Sequence, residues 1–153
     1  MKIANNIKLA LVAGLFILFS MIGVEHLSAQ TVWLDQLDLS AATQGFGTPN
    51  KNKSVDGKAI TIGGKTFERG FGTHAESSLL VLLDGKASEF TAQVGIDDEV
   101  EGRQPAVEFI IIGDGKKLWS SGVIHLGDAA RPCSVKLAGI QKLELVVTDG
   151  GNG

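Results

Sequence analysis

A chain of 153 residues with a net charge of −3, 20 glycines and one cysteine has room for a single domain and no internal disulfide. Its lysines and arginines are dispersed, which excludes the concentrated positive surface on which nucleic-acid binding rests. So many glycines also argue against long helices.

The first segment is a targeting signal by pattern. Lys2 and Lys8 form a basic start, Leu9–Val24 is an apolar run, and Leu27-Ser28-Ala29-Gln30 is a small-residue exit. This predicts a secretory signal peptide over residues 1–29, cleaved after Ala29, and a mature domain over 30–153. The 16-residue run falls short of the roughly 20 residues of a relaxed membrane-spanning helix, so no span is expected after cleavage. An uncleaved N-terminal anchor is the alternative. The expected location is secreted, periplasmic or at the cell surface. Without Lys2, Lys8 and Glu25, 12 basic and 16 acidic residues remain, a net charge of −4. Cys133 is expected to be a small buried hydrophobe.

Beyond residue 30 the chain reads as short β segments separated by Gly, Asp and Asn. Ala59–Phe67 predicts two short strands around a Gly63-Gly64 turn, and Leu79–Leu83 is an apolar run that stops at Asp84-Gly85. Phe90–Ile96 alternates with period two. Val107–Ile112 and Lys117–Ser120 flank Gly113-Asp114-Gly115 and predict a hairpin. Ser134–Leu137 and Leu143–Thr148 complete the set, while Val32–Leu37 and Ile140–Lys142 can each hold a helical turn. Seven or eight strands in a domain of this size fit an all-β sandwich.

Six segments in order extend this picture. They are Leu34–Asp38, Ser40–Gly47, Gly70–Ala75, Phe90–Glu99, Asp114–Gly122 and Leu145–Gly153. Together they resemble the NPCBM family, the "novel putative carbohydrate-binding module" found attached to glycoside hydrolases. The resemblance implies a jelly-roll β-sandwich of galactose-binding-like architecture, a glycan or polysaccharide ligand, and a neighbouring glycoside hydrolase domain or partner. Two departures stand out. Phe46 occupies a place where the family usually carries Trp, and the family pattern continues past Thr148-Asp149-Gly150-Gly151 into a further strand. The module is therefore expected to lack its last strand, leaving an unpaired β edge.

Asp97, Asp98 and Glu99 form the densest acidic cluster and are the candidate metal ligands, because Ca²⁺ takes six to eight oxygens from irregular loops. The alternative is a solvated acidic loop capping a strand. Gly70-Phe71-Gly72 lets the backbone turn tightly and fixes His74 as a candidate donor or acceptor for a sugar hydroxyl; its alternative role is structural. Sugar recognition needs an aromatic face and planar polar groups. With no Tyr in the chain, Phe46 is the best loop-borne aromatic, Asn50 the candidate hydroxyl reader and Trp119 a candidate wall. Phe67, Phe71, Phe90 and Phe109 are expected in the core.

No nucleophile elbow, Cys/His arrangement or HExxH appears, and adjacent Asp97 and Asp98 point to opposite sides of an extended chain, a poor acid/base pair. The expectation is a non-catalytic module that targets a glycoside hydrolase to glycans. The rivals are a protein–protein or structural sandwich of the cell envelope, and a glycosidase fragment.

Overall fold

The computed structural model describes residues 6–11, 30–100 and 104–151. In chain order the strands are β1 (Asn6–Leu11), β2 (Gln30–Trp33), β3 (Thr43–Gln44), β4 (Asn50–Lys51), β5 (Ile60–Ile62), β6 (Lys65–Phe67) and β7 (Phe71–Gly72). They continue with β8 (Ser77–Leu82), β9 (Ala87–Val94), β10 (Ala106–Gly113), β11 (Lys116–His125), β12 (Arg131–Lys136) and β13 (Lys142–Thr148). One 3-10 turn covers Leu34–Gln36.

Two antiparallel sheets face each other. One has the order β12-β9-β1-β2, the other β11-β10-β13-β8-β3. The period-two alternation puts Phe90, Ala92 and Val94 of β9 on the buried side, opposite Phe109 and Ile111 of β10 and Leu143, Leu145 and Val147 of β13, in one core. Phe67, Phe71, Phe90 and Phe109 are all buried, as the strand patterns predict, and so is Cys133. Burial pushes the Cys133 thiol up to about 12. At the tip between β10 and β11, Asp114 and Gly115 both have positive φ (47° and 78°), the twist a two-residue hairpin turn requires. The Asp114 carboxylate also accepts the N–H groups of Gln141 and Lys142, so Ile140 and Gln141 lead as irregular chain into β13, which begins at Lys142, and hold no helical turn.

β1 comes from the segment with leader character. It lies between β9 and β2, with Leu9 opposite Phe90 on one side and Val32 on the other. Residues 1–5 and 12–29, including the Ala29 exit, lie outside the described residues. Residues 152–153, at the C-terminal end, also lie outside them.

Strands β3, β4 and β7 have two residues each and carry no periodicity, which hides them from a reading of the sequence. They nevertheless decide where the loops go. β3 pairs with β8 and β4 pairs with β7. The β3–β4 connection (45–49) and the β7–β8 connection (73–76) must therefore run side by side.

Candidate functional site

The two neighbouring connections bring Phe46 and His74 together. Their ring centroids are 5.6 Å apart at an interplanar angle of 60°, an edge-on arrangement. Phe46 is 69% exposed, the most open large hydrophobic side chain among the described residues. His74 is half-buried, and its Nδ1 contacts the Ala75 carbonyl. Gly45 N–H donates to Glu76 O (3.0 Å), tying the two connections backbone to backbone.

Glycine at position 72 is a packing requirement. A Cβ there would meet the Lys53 carbonyl oxygen at 2.2 Å, so only glycine lets β7 lie against the 53–54 backbone and deliver His74 to this place. Gln44 finishes the arrangement: its Oε1 accepts from Thr73 Oγ1 (2.7 Å) and His74 N–H (3.0 Å), and its Nε2 donates to the Phe46 carbonyl (2.7 Å). Gln44 and the buried Thr73 lie within the segments Ser40–Gly47 and Gly70–Ala75, but their residue types do not single them out, and only their contacts with Phe46 and His74 mark them.

The Phe46 loop runs between two open clefts. One, of about 430 Å³, is lined by Thr43, Gln44, Glu76, Ser78 and Thr148 among others. The other, of about 370 Å³, is lined by Asp38, Ser40, Thr48 and Lys51, with Phe71 at its base. Hydrogen bonds from Ser40 to Asp38 hold that carboxyl below its usual range. The first cleft offers hydroxyl, amide and carboxylate groups and the second hydroxyl and charged groups, the chemistry that reads a sugar's hydroxyls, while the exposed Phe46 ring on the loop between them offers a face to its C–H groups.

Two other candidates stand apart. Asn50 donates its Nδ2 to the carbonyls of Ser54 (2.9 Å) and Val55 (3.0 Å), so its donor pins the following turn. Trp119 faces the core from β11, opposite Ile111. β11 and β3 are opposite edges of the five-stranded sheet, so Trp119 and the Phe46 loop, which follows β3, belong to opposite edges of it.

The acidic cluster is not a plain solvated loop. Asp97 is fully buried and accepts hydrogen bonds from Thr61 N–H (3.2 Å) and Glu99 N–H (3.0 Å). Its burial raises the carboxyl above the ordinary range, with the charges of Glu99 and Asp98 adding to that and the two backbone bonds opposing it. Asp98 accepts the N–H groups of Gly63 (2.9 Å) and Gly64 (2.8 Å). The Glu99 side chain is 5% exposed, with Lys58 Nζ at 3.8 Å. The carboxylates of Asp97 and Asp98 thus face backbone donors of different residues. Among the described residues no group of three His, Cys, Asp or Glu is placed to hold a metal ion.

The two-sheet antiparallel sandwich and the proteins it resembles make this a non-catalytic carbohydrate-binding module. The chain belongs to the NPCBM/NEW2 domain family, whose model matches residues 30–153. It is 38% identical over 119 residues to a putative endo-alpha-N-acetylgalactosaminidase of Renibacterium salmoninarum, covering 74% of this chain and 8% of that protein. It is 36% identical over 107 residues to alpha-1,3-galactosidase B of Akkermansia muciniphila, covering 67% of this chain and 13% of that one. The chain therefore spans a small part of either enzyme. Among solved structures, the CBM51 module of Clostridium perfringens GH95 in complex with methyl-galactose superposes with a TM-score of 0.73 at 32% identity, over 80% of this chain and 89% of that one. The CBM51-2 and INT domains of Clostridium perfringens ZmpB give 0.74 at 26% identity, over 82% of this chain and 30% of that one. No helix among the described residues is long and apolar enough to cross a membrane.

Proposed function

We propose that this chain is exported and holds an attached or associated glycoside hydrolase on glycans that present galactose-type sugars, with the Phe46–His74 corner as the contact. The observation that carries this is the exposed Phe46 ring standing edge-on to His74 beside a cleft of polar groups. The ring supplies an apolar face for pyranose C–H groups, and the flanking side chains supply hydroxyl partners. The sugar class is supported by relatives named as a galactosidase and an N-acetylgalactosaminidase, and by the methyl-galactose bound to the superposed module. Asp97 and Asp98 act in this reading as a structural clamp on the β5–β6 hairpin.

Isothermal titration with methyl-galactose tests the proposal. Binding is expected for the wild type and a loss of at least about tenfold for Phe46→Ala and for His74→Ala. Folded wild-type protein that binds neither methyl-galactose nor an N-acetylgalactosaminide would overturn it.

A second reading rests on the outer face of the five-stranded sheet, where Leu80, Leu82 and Val123 are 45%, 66% and 44% exposed. That face suits packing against another protein module. Polar substitution of Leu80 and Leu82 leaves sugar binding unchanged in either case, and alters self-association or partner binding only in this second one.

A further inference from the structure

The Phe46 loop has little of its own to hold it. Phe46 sits between Gly45 and Gly47, and Gly47 adopts a φ of 74° that side chains rarely tolerate. Apart from its edge contact with His74, the ring stands in solvent. A displayed ring binds tightly only when its backbone is held in place beforehand, because otherwise each encounter must order the loop. Besides the Gly45 N–H to Glu76 carbonyl bond, one side chain holds the loop. Gln44, half-buried at the end of β3, faces two donors with its Oε1, the Thr73 hydroxyl and the His74 N–H, and faces one acceptor with its Nε2, the Phe46 carbonyl. The His74 N–H and the Phe46 carbonyl dictate the amide's orientation, since the opposite one would set an NH₂ against an N–H and an oxygen against a carbonyl.

We propose that Gln44 is the positioning residue of the sugar site: by bridging the Phe46 carbonyl to the Thr73 hydroxyl and the His74 N–H it sets the distance between the two rings that the sugar meets. This rests on the Phe46–His74 corner being the site. Few other residue types can do this at position 44. Glu keeps the acceptor but loses the donor, and it turns a carboxylate toward a carbonyl. Met and Leu lose both. Asn has the groups but is one methylene short of spanning the two connections.

The experiment compares methyl-galactose affinity and thermal stability for the wild type, Gln44→Glu, Phe46→Ala and the double variant, and follows Phe46–His74 ring contacts by NMR. Gln44→Glu preserves the acceptor toward Thr73 and His74, so it is expected to stay folded, with a melting temperature within a few degrees of the wild type. Its affinity is expected to drop about tenfold, and its ring-to-ring contacts to disappear. In the Phe46→Ala background the same change is expected to cost less than about twofold, because the ring it positions is gone. Equal losses in both backgrounds, or undisturbed ring contacts in Gln44→Glu, overturn the positioning role. If Phe46→Ala binds as well as the wild type, the corner is not the sugar site and the proposed function fails at that point. The ring contacts then still decide whether Gln44 sets the loop.

Discussion

Asp98 accepts hydrogen bonds from the backbone N–H groups of both Gly63 and Gly64, at 2.9 and 2.8 Å, and so closes the β5–β6 hairpin onto the end of β9. Gly63 and Gly64 have φ values of 54° and 77°, a turn whose amides point outward and need an acceptor. The hairpin keeps a small core of its own, Ile60, Ile62 and Phe67. It rests on Gly95, where an added Cβ would meet Ile62 Cγ2 at 2.3 Å. Asp98→Ala is expected to lower stability by about 1–2 kcal/mol, read from urea unfolding, with sugar affinity unchanged.

Asp97 makes the same latch sensitive to pH. Burial raises its folded-state pKa above the ordinary carboxylate value. A raised folded pKa means the folded state binds the proton more tightly than the unfolded chain does. Its favourable contribution is therefore complete below the ordinary value near 3.8 and is lost as pH rises through the raised one. The difference in melting temperature between the wild type and Asp97→Asn should move in favour of the wild type as pH falls from about 7 toward 4. A difference moving the other way would mean that the two backbone hydrogen bonds outweigh burial.

Cys133 lies on β12 with its thiol pushed up to about 12. At neutral pH it holds its proton and is 3% exposed. The native protein is expected to show no reaction with a chromogenic disulfide reagent over hours, and one thiol per chain on denaturation. Fast native labelling would mean that the outer strand β12 opens readily from β9.

β1 occupies a central place, paired on both sides. A protein that begins at Gln30 loses those pairings and leaves the facing edges of β9 and β2 open. It is expected to melt at a lower temperature than the full chain and to self-associate, measured by calorimetry and size-exclusion chromatography. A monomer of unchanged stability would show that β9 and β2 close on each other.

Phe90 is 1% exposed at the centre of the sandwich. Phe90→Ala is expected to cost about 3–5 kcal/mol in urea unfolding, the usual range for emptying a packed aromatic site.

The core and the long strands were legible in the sequence because they rest on local periodicity. Phe90, Ala92 and Val94 alternate, Val107–Ile112 is β-branched, and Asp114-Gly115 marks its turn, so β8 to β10, β12 and β13 fall within a few residues of expectation. Phe46 was visible as an aromatic between glycines on a polar loop. Its partner was not a matter of pattern: 28 positions separate it from His74, and only the pairing of β3 with β8 and of β4 with β7 brings the two connections side by side. The same pairing gives Gln44 its role. The acidic cluster shows the limit most plainly. Composition made Asp97, Asp98 and Glu99 look like one solvated or metal-binding group, while the fold turns Asp97 inward to Thr61 and Asp98 outward to Gly63 and Gly64. Alternation along a strand is a property of neighbouring residues and can be read directly. Which backbone donor meets which carboxylate depends on chain segments some 35 residues apart, and only their docking decides it.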